Sequence, residues 1–523
     1  MTRTLRNLIL PMVALLVAGT AAAQQTSLNT FTRIQVKGLT GGEVYLANYY
    51  GNKLYYADTA QVSPTGNIEF KGRPFNEQGK YAVVIPGKPY FDIIIGNEDI
   101  EIVTDTTDLV RNLEVTKGWN NKAFYDYVRF INDMRGLRAP HDSVLADSTA
   151  VEKDLKKARK ALVDLNDQVV KRQKSIIASN PDKLFAKYIR MMLDVEVPED
   201  LGKDLDEEER NTARYEWYKA HYWDNVDLND NRMVRDQAFH SALERYVSKV
   251  LPQIPDSMGA EATRLIDRVE GKEDLFKYIV HHFTYYTETS KLMCMDKAFV
   301  YMVDNYYAQG KCGWMDPEKL ATIIEAANDK RQVLCDAPFP DIRLMSPEGE
   351  WISVRETDTK YTVVVVWEST CGHCKKEMPK LAEFYAKHKD IASIYAIGND
   401  YEREPWVKFM EEKELPDWID VSDDPSISND NPEAVRQALQ CCTNLESLNF
   451  RRTLDINSTP KIWLLDEDHV IIAKQLNAEQ LEDLVETFEG IGEDVGDGEI
   501  PEEAAPEAPK QNERKRTKGA TNG

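Results

Sequence analysis

A chain of 523 residues, 42% apolar and 29% charged, is long enough for about three hydrophobic cores, so burial does not limit its folding. A formal net charge of −23 argues against a polyanionic partner such as nucleic acid. Seven cysteines spread over this length do not form the disulfide framework of a small secreted fold.

The N-terminus starts with Arg3 and Arg6, continues through the apolar stretch Leu8 to Ala18, and ends in Ala21-Ala22-Ala23 before Gln24. This is the layout of a secretory signal peptide, so residues 1–23 are expected to be removed and the remainder exported to the periplasm. The alternative is a membrane anchor kept through an uncleaved N-terminus. The apolar run is short of the roughly 20 residues that a spanning helix needs.

Residues 24–112 show period-two runs such as Arg33-Ile34-Gln35-Val36, Val44-Tyr45-Leu46 and Phe91-Asp92-Ile93-Ile94-Ile95, separated by Gly, Pro and Asn. They predict a small antiparallel β domain, sandwich-like, with no catalytic cluster of its own and a binding or spacer role. Residues 113–331 change to helical periodicity and predict a helical domain. Val151, Leu155, Ala158, Leu162, Leu165 and Val169 form an apolar stripe there, read as intramolecular core rather than a dimer seam, with oligomeric state left open. His281-His282 lacks carboxylate or cysteine neighbours in the sequence and reads as structural. Residues 491–523, rich in Glu, Pro, Gly and Ala before Arg514-Lys515-Arg516, are expected to be a disordered tail.

Residues 332–490 predict an α/β domain with a mixed sheet. Tyr361 to Trp367 is a continuous run of the kind found in a central strand buried on both faces. It leads directly into Cys371-Gly372-His373-Cys374 and then an amphipathic helix with Met378, Leu381 and Phe384. A thiolate, not a thiol, attacks disulfides, and a cysteine at a helix opening is acidified by unpaired amides and by the positive end of the helix dipole. Cys371 is therefore the expected nucleophile. Cys374, about one turn inward, is the expected resolving thiol, and His373 between them is a candidate tuning group. Glu377, another turn along, either exchanges a proton with Cys374 or pairs with Lys380.

Rival chemistries fit less well. Zinc held by the Cys371/Cys374 pair needs two more ligands, and the adjacent Cys441-Cys442 lacks ligand spacing. A peroxiredoxin P-x-x-x-T-x-x-C signature would need Pro and Thr where Val364 and Glu368 stand. Cys441 and Cys442 are expected to be two unpaired thiols, with a redox relay or a vicinal disulfide as alternatives. A structural disulfide among Cys294, Cys312 and Cys335 is conceivable, but its pairing cannot be read from the sequence.

The segment from Val366 to Pro379 resembles the active-site region of TlpA/ResA-type thioredoxin-family proteins of the bacterial envelope, and Ala337-Pro338-Phe339-Pro340 resembles the entry to such domains. Ser458-Thr459-Pro460 resembles the family's cis-proline loop. The whole layout is similar to multidomain thiol–disulfide interchange proteins of Bacteroidetes. The resemblance implies that Pro460 packs against the two cysteines, that Thr459 pairs with substrate through its backbone, and that Trp367 lies on the substrate side. It also favours Glu377 as the proton-exchanging residue beside the inner cysteine. A longer stretch between Asn399 and Ser458 departs from the shorter family members and alters the expected substrate groove.

The expected function is thus exchange of protein disulfides, in the reducing direction, with electrons from an unidentified membrane donor and with neither metal nor cofactor. The alternatives are a disulfide oxidase or isomerase, which the Gly372-His373 dipeptide suggests, and an envelope binding or scaffold protein whose thioredoxin-like domain is redox-passive.

Overall fold

The structure, a computed structural model, describes residues 30–400, 402–423, 427 and 431–490. The expected signal peptide and tail lie outside them. The chain divides into two compact units at Ala327/Asn328. Among the described residues no helix is long and apolar enough to cross a membrane.

The described residues of the first unit begin with eight strands: β1 (Phe31–Lys37), β2 (Glu43–Tyr50), β3 (Lys53–Gln61), β4 (Asn67–Lys71), β5 (Gly79–Val84), β6 (Phe91–Ile95), β7 (Ile100–Asp105) and β8 (Glu114–Lys117). They form two four-stranded sheets, ordered β4-β1-β7-β8 and β3-β2-β5-β6. Alternate residues of the strands face one shared core, with Ile34, Val36, Leu46, Phe70, Val83, Ile93 and Ile102 all buried. The sandwich expected from the period-two pattern is present, except that β1 and β7 pair in parallel rather than antiparallel. A period of two reports which residues face inward and carries no strand direction.

Nine α-helices follow among the described residues: α1 (Trp119–Ala146), α2 (Glu152–Ser179), α3 (Leu184–Arg190), α4 (Glu207–His221), α5 (Gln237–Arg245), α6 (Pro255–Asp267), α7 (Glu273–Thr289), α8 (Asp296–Met302) and α9 (Pro317–Arg331). The Leu155-to-Val169 stripe lies on α2, which packs along α1. Ala158 is buried there, whereas Val151 at the head of the stripe is exposed.

The second unit holds a seven-stranded mixed sheet, ordered β10-β9-β13-β12-β11-β14-β15. Its strands are β9 (Arg343–Met345), β10 (Trp351–Ser353), β11 (Tyr361–Trp367), β12 (Ala392–Gly398), β13 (Ile419–Ser422), β14 (Lys461–Leu465) and β15 (Ile471–Lys474). Every residue of β11 is buried. β11 pairs with β12 in parallel and with β14 in antiparallel fashion, so the apolar run read from the sequence is the central strand. Between the strands lie α10 (Cys374–His388), α11 (Arg403–Lys413), α12 (Pro432–Cys441), α13 (Leu445–Leu448) and α14 (Phe450–Thr453), and α15 (Ala478–Glu489) closes the domain. The inner face of α10, with Cys374, Met378, Leu381 and Phe384, packs on Val363, Val365 and Trp367 of β11. A strand, helix and parallel strand followed by an antiparallel pair and a closing helix is a thioredoxin-like fold.

The chain beyond β12 carries α11, β13 and α12 to α14 before β14. The expectation of two unpaired thiols here is overturned: Cys441 and Cys442 are joined as a vicinal disulfide across a Cα–Cα distance of 3.7 Å. How the end of α12 orients two adjacent side chains depends on the local backbone path, which residue types alone do not encode. Cys312 is a buried free thiol, pushed up to about 12 by burial, and Cys294 and Cys335 are oxidised.

On β13, burial pushes the Asp420 carboxyl up to about 7, helped by nearby Glu348 and Asp417 and opposed by a hydrogen bond with Trp418. A folded-state value above the ordinary 3.8 means that the native state holds a proton that the unfolded chain gives up. Its stabilising contribution is therefore complete below pH 3.8 and is lost as the pH rises towards 7. Each pH unit between those two values is worth ~1.4 kcal/mol, so thermal unfolding followed from pH 4 to 8 should show stability falling by a few kcal/mol. Asp420→Asn should flatten that slope.

Candidate active site at the start of α10

β11 ends at Trp367, and the chain turns through Glu368, Ser369 and Thr370 before the first cysteine. Asp400, just past β12, holds this turn. Its buried carboxylate accepts the Ser369 hydroxyl at 2.5 Å and the Ser369 N–H at 3.0 Å. The turn continues as the Cys371 N–H donates to the Glu368 carbonyl at 3.1 Å. The helix proper starts at Cys374, later than the sequence pattern suggested, but the Lys375 N–H already donates to the Cys371 carbonyl at 3.1 Å. Cys371 thus sits at the helix opening, partly exposed, and Cys374 is fully buried one turn below.

From the opposite side comes the loop before β14, whose Thr459–Pro460 peptide is cis. The Cys371 thiol donates to the Thr459 carbonyl at 3.3 Å and its sulfur accepts the Cys374 N–H at 3.4 Å. The two cysteines therefore have opposite acidities. At Cys371 burial opposes ionisation, but hydrogen bonding with the Thr459 side chain, with the Cys374 amide and thiol and with the His373 amide outweighs it and brings the thiol below its ordinary value. At Cys374 burial dominates and pushes the thiol up to about 12. Both are free thiols.

His373 contributes to Cys371 through its backbone amide, while its side chain is exposed. The Glu377 carboxylate accepts the Ala478 N–H at the start of α15 at 3.0 Å and lies 3.4 Å from Lys380 Nζ. It thus satisfies an orphan amide at the positive end of that helix. Trp367, expected on the substrate side, is corrected by the structure: its side chain is 0% exposed and packs on Phe409 with ring centroids 4.9 Å apart. As the last residue of a strand buried on both faces, it supports the motif from beneath and cannot touch a bound chain. Asp400 is the site residue that the sequence pattern missed, because nothing local marks a carboxylate 31 residues from Ser369 as its partner.

A hollow of about 780 Å³ lies in the first unit, where Tyr50 and Tyr55 face His240, Tyr278, His282 and Trp314. His282, of the pair read as structural, is pushed down to about 4 by burial and by the neighbouring His240 and His281.

A dithiol at a helix opening beside a cis-proline loop, carried on this sheet, gives the C-terminal unit a thioredoxin-like architecture. Residues 335–473 match the AhpC/TSA family model, in agreement with that geometry. Residues 33–124 match the domain of unknown function DUF4369, and residues 166–330 match the domain of unknown function DUF5106. Among solved structures, the chain is similar to a domain described as a possible thiol-disulfide isomerase from Cytophaga hutchinsonii (28% identity, 30% of this chain, 95% of that one, TM-score 0.25). It is also similar to the thioredoxin domain of a thiol-disulfide oxidoreductase from Bacteroides vulgatus (27% identity, 30% and 98% coverage, TM-score 0.24). A thioredoxin-like protein from Bacteroides caccae covers more of the chain (15% identity, 56% and 98% coverage, TM-score 0.41). Comparison with curated proteins gave no match. The C-terminal unit is thus thioredoxin-like in fold, and over residues 335–473 it is similar to the AhpC/TSA family.

The unequal acidities set an expected titration. Only the thiolate is alkylated, so a lowered pKa makes Cys371 reactive at lower pH, not higher. Alkylation of the reduced protein by iodoacetamide should follow a midpoint below the roughly 8.5 of a free cysteine, and Cys374 should stay unmodified until well above a pH of about 10. Mass spectrometry of the labelled peptide separates the two.

Proposed function

We propose that this chain is an exported, periplasmic thiol–disulfide oxidoreductase that exchanges protein disulfides through Cys371 and Cys374 in the reducing direction. The observation that carries the proposal is the pairing of an acidified, accessible Cys371 with a buried, weakly acidic Cys374 one helical turn away.

The Cys371 thiolate attacks one sulfur of a substrate disulfide, whose S–S bond breaks and whose other sulfur leaves as a thiolate. A mixed disulfide now joins Cys371 to the substrate. Cys374 gives up its proton, attacks the Cys371 sulfur and releases the second substrate thiolate, so two electrons have passed to the substrate and the chain holds a Cys371–Cys374 disulfide. Glu377 is the carboxylate assigned to take the Cys374 proton, and the backbone of Thr459, beside Pro460, aligns the substrate strand. His373 adjusts the acidity of Cys371. A membrane dithiol donor restores the reduced pair. The aromatic hollow of the first unit supports a binding role for the N-terminal half.

Two measurements test this reading. The full chain should accelerate reduction of insulin disulfides by dithiothreitol well above the donor alone, and no acceleration would remove the enzyme assignment in favour of a scaffold. Equilibration with glutathione fixes the direction: a potential at or below about −220 mV supports a reductase, and one near roughly −120 mV would make the protein an oxidant.

A further inference from the structure

We propose that the C-terminal unit carries a divalent-cation site of mixed nitrogen and oxygen donors, suited to Zn²⁺, built from His388 at the end of α10 and from Glu482 and Glu486 on α15. It is independent of the exchange reaction. Along the helix from Cys374 to His388, at about 1.5 Å per residue, it lies about 20 Å from the inner cysteine.

α10 and α15 run side by side in the same direction. Glu377 near the start of α10 meets the first amide of α15, Lys380 meets Glu479 and Lys387 meets Glu482. Glu482 and Glu486 are four residues apart and so present their carboxylates on one face of α15. That face meets His388. The His388 residue is 8% exposed and its ring lies against Phe384 with centroids 4.9 Å apart. Its Nε2 is buried without a hydrogen-bond partner, at 4.0 Å from a Glu482 oxygen and 3.9 Å from a Glu486 oxygen. These separations are too long for hydrogen bonds, and a buried ring nitrogen left unpaired is costly.

One donor atom from each of the three residues lies within 4.8 Å of the others. Ligands about 2.1 Å from a tetrahedral ion stand roughly 3.4 Å apart, so a small inward rotation of the partly exposed glutamates completes the site. An imidazole with two carboxylates selects zinc and its transition-metal neighbours over magnesium or calcium, which prefer all-oxygen shells. Three protein ligands leave the fourth position to water, and two carboxylates balance the ion's charge. Lys387, 59% exposed and 2.5 Å from the Glu482 oxygen, is the cation that zinc displaces. Bound metal would clip the far ends of the two helices together.

The test uses the full-length chain without a histidine tag, with Cys371 and Cys374 oxidised so that no active-site thiolate competes. Calorimetric titration with Zn²⁺ alone should show one site per chain, and Co²⁺ should give the visible spectrum of a nitrogen/oxygen site without sulfur charge transfer. His388→Asn and Glu486→Gln should each weaken zinc binding at least about tenfold, and Lys387→Gln should strengthen it several-fold. Because His388 is buried, Glu486→Gln on the more open α15 face guards against a fold defect, and its insulin turnover should match wild type. Absence of zinc binding, or equal affinity in wild type and Glu486→Gln, would overturn the site while leaving the exchange chemistry untouched.

Discussion

Replacing Cys371 with serine is expected to lower insulin-disulfide turnover by a factor on the order of 10³ or more, as removal of a nucleophile does in enzymes that work through one. The serine hydroxyl keeps the shape of the side chain and can still donate to the Thr459 carbonyl that Cys371 contacts, so the fold should be unchanged. The hydroxyl does not ionise near neutrality, and an oxygen nucleophile forms no stable bond to a disulfide sulfur. Turnover with a common thiol donor, beside thermal unfolding of both proteins, separates chemistry from stability. Equal turnover in the two would refute the assignment of Cys371.

Replacing Cys374 with alanine should have the opposite signature, accumulation rather than loss. Attack by Cys371 does not need the inner sulfur, but release of the mixed disulfide does, and that intramolecular step has an effective concentration that dilute external thiols fall short of by several orders of magnitude. Substrate proteins should therefore remain covalently attached until dithiothreitol is added. Cys374 is fully buried, and losing its sulfur costs some packing against β11 without exposing a polar group. Non-reducing electrophoresis of Cys374→Ala isolated from the cells that make it would show the adducts, and Cys371→Ser/Cys374→Ala would show none. A clean single mutant would count against the mechanism.

The parts of the site that were legible in the sequence are the local ones. The β-branched run of β11, the Cys371-to-Cys374 spacing and the Thr459-Pro460 dipeptide each lie within a few residues, where period and turn chemistry act directly. The parts that were not legible depend on chain segments meeting in space. Asp400 reaches Ser369 only because β12 ends beside β11. Glu377 reaches Ala478 only because α15 returns along α10. Trp367 is placed on the substrate side by the resemblance alone, yet both faces of β11 are buried and its ring packs in the core. In the first unit, the inward and outward alternation of β1 and β7 was readable and their parallel pairing was not, since direction is set by the path of the intervening strands.

The contact between the Cys371 sulfur and Thr459 spans 88 residues of chain. The Thr459 side chain, one of the groups that acidify the outer thiol, reaches it only when β14 pairs with β11. The full acidity of the outer thiol is thus a property of the closed sheet and not of the four-residue motif alone.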